Sequence, residues 1–371
     1  MSNKSNSFVQ ENNFKMDFFM KVFLISFLFV QSFSVGAISK KERDSLLRLP
    51  LFKNDKLLEI ELKTNLSNLL NDIGEDRKYH KCQFRLLGNN KESESNLDVE
   101  VMTRGNFRRR KQNCDFPPLR FKIPTEEVTG TEFEGQSKLK YVSHCQSRDD
   151  RFEQNTIKEY LIYKMYNLID DHSFRVRLSR VLFIDTLTND SLKKFGFFLE
   201  DKNDLATRNG KVILHYKNLK QYNMLRKNMV MLSLFQLMIG NSDWDVSRLH
   251  NIDILSMDEH SIPVAVPFDF DWSGIINQAY FTLDPQIAPD AKYKRKYKGY
   301  KWSDEELETA FSGFNELKES FLKLISQCEY LNEENRTGLT EYILDFYELI
   351  SSKKDVKDVI LKKSLKIPSK I

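Results

Sequence analysis

The chemistry-bearing residues of this chain gather in one stretch. Asn241-Ser242-Asp243-Trp244-Asp245 is followed by His250-Asn251. Eighteen residues after that asparagine comes Asp269, in the run Phe268-Asp269-Phe270-Asp271-Trp272-Ser273-Gly274. Carboxylates and a neutral amide are hard oxygen donors, the ligands Mg²⁺ accepts when phosphate completes its shell. Phosphoryl transfer of the kinase type uses the same order along a chain: a carboxylate to orient the attacking hydroxyl, then an Asn and an Asp to hold the metal. Asp243 or Asp245 suits the first part. Asn251 and Asp269 suit the second, with Asp271 as a supporting or second metal ligand. The competing reading is an Asp-rich turn that does nothing but shape a loop.

Such a site also needs cations for the phosphates. Arg104 follows a strand pattern and opens a loop with Arg108-Arg109-Arg110-Lys111, five positive residues without an acidic one. It could cover phosphates, sit in solvent, or form a patch for acidic lipid or nucleic acid. In kinase-type sites a strand Lys grips phosphate and a following helix returns a Glu to it. Here the strand is Lys138-Leu139-Lys140-Tyr141-Val142, with Lys140 favoured, Lys138 on the same face and Lys122 as the alternative. Glu159 and Glu153 are the helix candidates. Glu200 lies in the run Phe195–Asp201 that ends the last strand of the first half, where an adenine would lie against backbone groups.

The elements that would position these residues follow from periodicity. Leu58, Ile60 and Leu62 alternate with charged residues, as in a half-buried strand. Cys82–Leu87, Leu97–Met102, Leu119–Ile123 and Leu139–Ser143 read likewise, with a polar turn at Lys91–Asn96. Phe152–Ile169 has helical spacing, and strands Arg175–Asp185 and Lys194–Glu200 follow around the turn Thr188-Asn189-Asp190. Asp201–Gly210 reads as a polar linker. Leu219–Ile239 is a long apolar helix stopped by Gly240. Asn251–Leu255 and Ile262–Phe268 are short strands. Ser303 with Glu306 is a capping box, and Phe311–Cys328 and Thr337–Ile350 are amphipathic. The lysine-rich tail after Ser351 should fray. The expectation is an α+β, two-lobed, protein-kinase-like fold: a strand-rich N-lobe with one inserted helix over 38–200, and a helical C-lobe carrying the catalytic and metal loops over 201–371.

Residues 1–37 read as an export signal. Lys21 precedes the apolar run Val22–Val30, and Val35-Gly36-Ala37 fits a cleavage site. Uncleaved, this segment would be the one membrane contact. Export permits disulfides. Of Cys82, Cys114, Cys145 and Cys328, the pair Cys114–Cys145 flanks neighbouring strands, while four free thiols remain an alternative. No cysteine pair has zinc-site spacing. The composition, 40% hydrophobic with 13 Gly and 9 Pro, supports a large core. A net charge of +4 without an aromatic-basic module gives no case for nucleic acid.

At these residues the chain resembles the CotH-type kinase-like family, and more distantly HipA and the lipid and secretory-pathway atypical kinases. The resemblance rests on Arg104-Gly105-Asn106, the Gly196–Glu200 strand, Asp243 with His250-Asn251, and Pro267-Phe268-Asp269-Phe270-Asp271, spread over about residues 97–275. It implies an ATP-dependent transfer of phosphate, with Mg²⁺ or Mn²⁺, to Ser or Thr of a secreted or surface protein. It also implies catalysis by Asp243 and metal binding by Asn251 and Asp269. The chain departs from a typical protein kinase in two ways. Asn251 lies eight residues after Asp243 and six after Asp245, where five is usual, and the glycine-rich phosphate loop is reduced to Gly105. A non-catalytic binding protein of the surface or coat type is the alternative, and a metal-dependent hydrolase using the four aspartates a weaker one.

Overall fold

The computed structural model describes residues 39–87, 95–258, 260–287 and 291–367. The expected export segment and most of the Lys91–Asn96 turn lie outside them. The described residues form one compact unit.

In chain order the elements are α1 (Lys40–Leu47), β1 (Leu58–Thr64), α2 (Leu66–Asn71), β2 (His80–Leu87), β3 (Ser95–Thr103), β4 (Leu119–Lys122), β5 (Lys138–Val142) and α3 (Asp150–Ile169). There follow β6 (Val176–Asp185), β7 (Ser191–Leu199), α4 (Lys202–Arg208), β8 (Val212–Leu214), α5 (Arg226–Met238), β9 (Ile252–Ser256), β10 (Val264–Pro267), α6 (Asp304–Ser326) and α7 (Glu333–Ser351).

The first seven strands close into a barrel in the order β1-β2-β3-β4-β5-β7-β6. Each neighbouring pair is antiparallel except the closing one. There β1 runs parallel to β6, with Leu58 opposite Ser179 and Thr64 opposite Asp185. This corrects the expected two-lobed kinase-like fold. The strands seal on themselves instead of forming an open lobe. The second half is not simply helical either, since β8, β9 and β10 make a three-stranded sheet of their own. The alternation of Leu58, Ile60 and Leu62 announces a buried face. It carries no information about a partner more than 110 residues away, so closure is invisible to local pattern.

The barrel is filled by inward side chains. Leu58, Ile60 and Leu62 meet Phe84, Phe121, Phe183 and Phe198 in one buried cluster. Phe84 and Phe121 pack edge to face at 6.0 Å, and Phe121 and Phe198 at 5.4 Å, arrangements that add to the area term. A larger cluster joins the outer face of β6 and β7 to α3, α5, α6 and α7 through Leu161, Met165, Leu178, Phe235, Phe314 and Phe346.

Helix α3 is the link between the two. It is buried without interruption from Asn155 to Tyr163, more than two full turns. A helix buried on every side carries its polar residues inward, Glu159 among them. The stretch expected as a linker at Asp201–Gly210 is instead helix α4, capped by the Asp201 side chain. The long apolar helix is shorter than its pattern: Gln221–Asn223 is a 3-10 turn, and α5 starts at Arg226. Gly240 at φ 67° ends it in the left-handed conformation that glycine tolerates best. The Ser303–Glu306 capping box forms. The tail beyond Ser351 continues as short helical turns over Lys353–Asp355 and Val356–Leu361. No helix among the described residues is long and apolar enough to cross a membrane.

Candidate functional site

Residues from four distant parts of the chain line one cavity of about 390 Å³. The loop after β3 supplies Arg104 to Arg108, β5 supplies Lys140, and α3 supplies Glu159 and Tyr163. The loops around β9 and β10 supply Asp243, His250, Asn251, Asp269, Asp271 and Trp272.

The acidic loop is set by the end of α5. Once Gly240 has turned the chain, the Asn241 side-chain carbonyl accepts the Asp243 N–H at 2.8 Å. Trp244 is buried beneath it. Asp243 is half-exposed, and each of its carboxylate oxygens has a partner. Oδ1 meets His250 Nε2 at 2.7 Å. Oδ2 accepts Asn251 Nδ2 at 3.0 Å. That same NH₂ also donates to the Asp243 carbonyl at 2.8 Å. Two acceptors facing one end of an amide fix its orientation, so the Asn251 oxygen is the end left for a cation. Asn251 and Asp269 both have left-handed backbones, at φ 52° and 60°. Non-glycine residues in that region carry strain that the surrounding structure must hold. At Asp269 the hold is direct, because its N–H donates to the Tyr163 hydroxyl at 2.8 Å.

Across the cavity stands Arg108, buried and aimed inward. Its Nη2 donates to the Ser143 carbonyl at 2.6 Å. Its Nη1 lies 3.7 Å from Glu159 and 3.9 Å from Asp271. Burial works against the guanidinium charge, but Tyr280, Asp271 and Glu159 outweigh it and hold Arg108 firmly protonated. Burial, followed by the charge of Asp271, drives the Glu159 carboxyl well above the usual range. Asp271 rises to about 7 through burial and the neighbouring Asp269, despite Arg108 and a 2.8 Å hydrogen bond from the Tyr280 hydroxyl. In the wall formed by β5, burial and then Arg104 pull Lys140 down to about 8. Burial likewise lowers Arg104, with Asp269 opposing. Arg104 thus works against the charge of Lys140, while Asp269, Asp271 and Glu159 work against one another's. A polyanion carrying a divalent cation would relieve both.

Of the residues picked from sequence, Arg104, Lys140, Glu159, Asp243, Asn251, Asp269 and Asp271 line this cavity. Asp245 and Glu200 do not. Asp245 closes a turn: its Oδ1 accepts the N–H and hydroxyl of Ser247 at 2.8 and 2.6 Å, and Oδ2 accepts Arg248 Nε at 3.0 Å. Glu200 is fully buried and accepts from Arg175 and Arg208 at 2.8 Å each. Glu159 meets Arg108, whereas Lys140 makes no ion pair within 4.0 Å among the described residues and lies 5.7 Å from the Phe268 ring. The alternatives are elsewhere: Lys138 is exposed, Lys122 pairs with Glu100, and Glu153 accepts the Phe195 N–H at 2.7 Å. In the sequence Arg108 stands in the same basic loop as Arg104 with nothing to single it out, and Tyr163 and Tyr280 carry no signal at all. Nothing local distinguishes Arg108 from its two successors. Only Arg108 and Arg109 are buried, and Arg109 turns away to Gly74 and Glu75.

The Cys114–Cys145 disulfide forms, with Cys82 and Cys328 as buried free thiols. Among the described residues, no group of three or more His, Cys, Asp or Glu side chains is arranged to hold a metal. A Mg²⁺ ion held by one or two carboxylates, an amide oxygen and substrate phosphate needs no such trio, and Asn251 with Asp269 and Asp271 fits that pattern. Comparison with models of known protein families finds no match, and comparison with curated proteins finds none.

Proposed function

We propose that this chain is an exported, ATP-dependent phosphotransferase that moves the γ-phosphoryl group to a Ser or Thr hydroxyl of a secreted or surface protein. The observation that carries the reading is the convergence of Arg104, Lys140, Asp243, Asn251 and Asp269 on one cavity from three separate parts of the chain. Arg104 and Lys140 bind the phosphates. Asn251 and Asp269, with Asp271 beside them, hold Mg²⁺ or Mn²⁺. When bound, the cation neutralises charge on the transferring group. Asp243 orients the acceptor hydroxyl and takes its proton as the oxygen bonds to the γ-phosphorus and the bond to the β–γ bridging oxygen breaks, releasing ADP. His250 and Asn251 keep that carboxylate in place. A disulfide close to the cavity suits an oxidising compartment.

One feature favours a second reading. Both Asp243 oxygens already have protein partners, which would suit a binding platform that holds nucleotide without turnover. Transfer of labelled γ-phosphate from ATP to the protein itself or to casein, beside an Asp269→Ala control, separates the two. The enzyme reading expects label that disappears in the variant. A thermal upshift with Mg²⁺-ATP but no label supports the platform, and neither upshift nor label refutes both.

A further inference from the structure

The segment from Arg104 to Phe116 has almost no regular structure, yet Arg104, Gly105, Asn106, Phe107 and Arg108 line the cavity. What holds a coil of this length in one shape lies at its far end. Cys114 is bonded to Cys145, in the connection between β5 and α3, and both are buried. Cys145 sits at φ 67°, a backbone state costly to any residue with a Cβ and kept only where the surroundings impose it. Around the bridge the coil and the connection are laced together. Phe116 N–H donates to the Cys145 carbonyl at 3.0 Å. Gln146 Nε2 donates to the Asn113 carbonyl at 2.8 Å, and the Ser147 N–H to Asp115 Oδ1 at 2.9 Å. Two residues before Cys145, the Ser143 carbonyl receives Arg108. The bridge therefore fixes the same short connection that orients the cation facing Glu159 and Asp271.

We infer that the Cys114–Cys145 bridge is a positioning element of the cavity: the oxidised chain holds Arg108 and Phe107 in place and binds Mg²⁺-nucleotide, and the dithiol chain keeps its fold but loses the site. The inference rests on the nucleotide reading above. Cys114 and Cys145 pack in a small buried cluster with Phe152, separate from the barrel and helical cores, so on this proposal those cores survive loss of the bridge. Bridge formation takes two protons and two electrons from the thiols. A disulfide donor accepts them and leaves as two thiols, in ordinary thiol–disulfide exchange. A chain that must first be oxidised in this way stays unable to use nucleotide while it remains in a reducing compartment.

The test compares the oxidised full chain with a Cys114→Ser/Cys145→Ser double variant. Two readouts are needed, Mg²⁺-ATP affinity by calorimetry and acrylamide quenching of tryptophan. Trp244 and Trp302 are buried, whereas Trp272 is partly open and packs 5.7 Å from Phe107, so quenching reports the coil directly. The double variant should unfold cooperatively, quench more readily, and bind Mg²⁺-ATP about tenfold or more weakly, as when the competent fraction falls to about a tenth. A folded variant with unchanged quenching and affinity within about twofold overturns the inference. So does a variant that fails to fold, since the bridge would then be a staple for the whole molecule. If the oxidised wild type binds no Mg²⁺-ATP, the phosphotransfer reading falls, and quenching alone still decides whether the bridge sets the coil.

Discussion

Replacing Lys140 by methionine should make the protein more stable and unable to bind nucleotide. Lys140 is drawn into the cavity wall, where burial and the neighbouring Arg104 bring it down to about 8 from an ordinary 10.5. Below pH 8 the folded chain must keep a charge there that water would solvate better. At 1.36 kcal/mol per pH unit that difference amounts to about 3 kcal/mol. The cavity is open to solvent and the Phe268 ring attracts the ammonium, so we expect a gain of about 1–3 kcal/mol for Lys140→Met at pH 7. The sign with pH follows from proton counting. Between pH 8 and 10.5 the unfolded lysine is protonated and the folded one is not. The wild type therefore gains stability relative to the variant as pH rises through that window, and the gap closes. Urea unfolding of both proteins at pH 7 and near pH 10 measures the gap, and Mg²⁺-ATP titration at pH 7 measures the function given up for it. A variant less stable than wild type at pH 7, or a gap that does not change with pH, would refute the reasoning.

Asp243→Asn should retain Mg²⁺-ATP binding while the rate of labelled phosphate transfer falls about 10²–10⁴-fold, since the amide cannot take the proton. Gly196→Ala, on β7, should destabilise by about 1–3 kcal/mol in thermal unfolding, because a Cβ there would lie 2.1 Å from the Tyr141 hydroxyl and 2.7 Å from the Val142 carbonyl. Glu306→Ala removes the reciprocal cap on α6 and the pair with Arg226, costing about 1 kcal/mol in urea unfolding at pH 7. The hydrogen bond from Arg226 is the main cause that holds the Glu306 carboxyl down at about 2. Its contribution is therefore full above pH 4.5 and fades as pH falls toward 2, where the variant and the wild type should converge.

Much of the local structure could be read from the chain because local structure has local causes. Alternation and turn residues marked β1 to β7 within a few residues, Gly240 marked the end of α5, and the Ser303–Glu306 spacing marked the start of α6. The cavity was legible for the residues whose type is scarce where they stand: an Asn and aspartates beside apolar strands, a lysine in a strand. What failed was everything set by distant partners. Closure of β1 on β6 depends on register across more than 110 residues. Asp245 and Glu200 carry the same carboxylate as Asp243, and only the arginines and the serine that meet them in space assign them to scaffolding. Glu159 was expected opposite Lys140, but the nearer cation comes from a coil whose course is fixed by a covalent cross-link.

The seam between β1 and β6 sets an order of events during synthesis. When residues 58–64 leave the ribosome, one of their two neighbours does not yet exist, and it arrives only after residue 176. Until then that early strand has a bare flank, open to any passing extended chain. Contacts of such long sequence separation also form slowly. The first ribbon made is thus the one that waits longest, and truncations ending before β6 should aggregate rather than yield a usable fragment. Once the seam is shut, that early strand has β2 on one flank and β6 on the other.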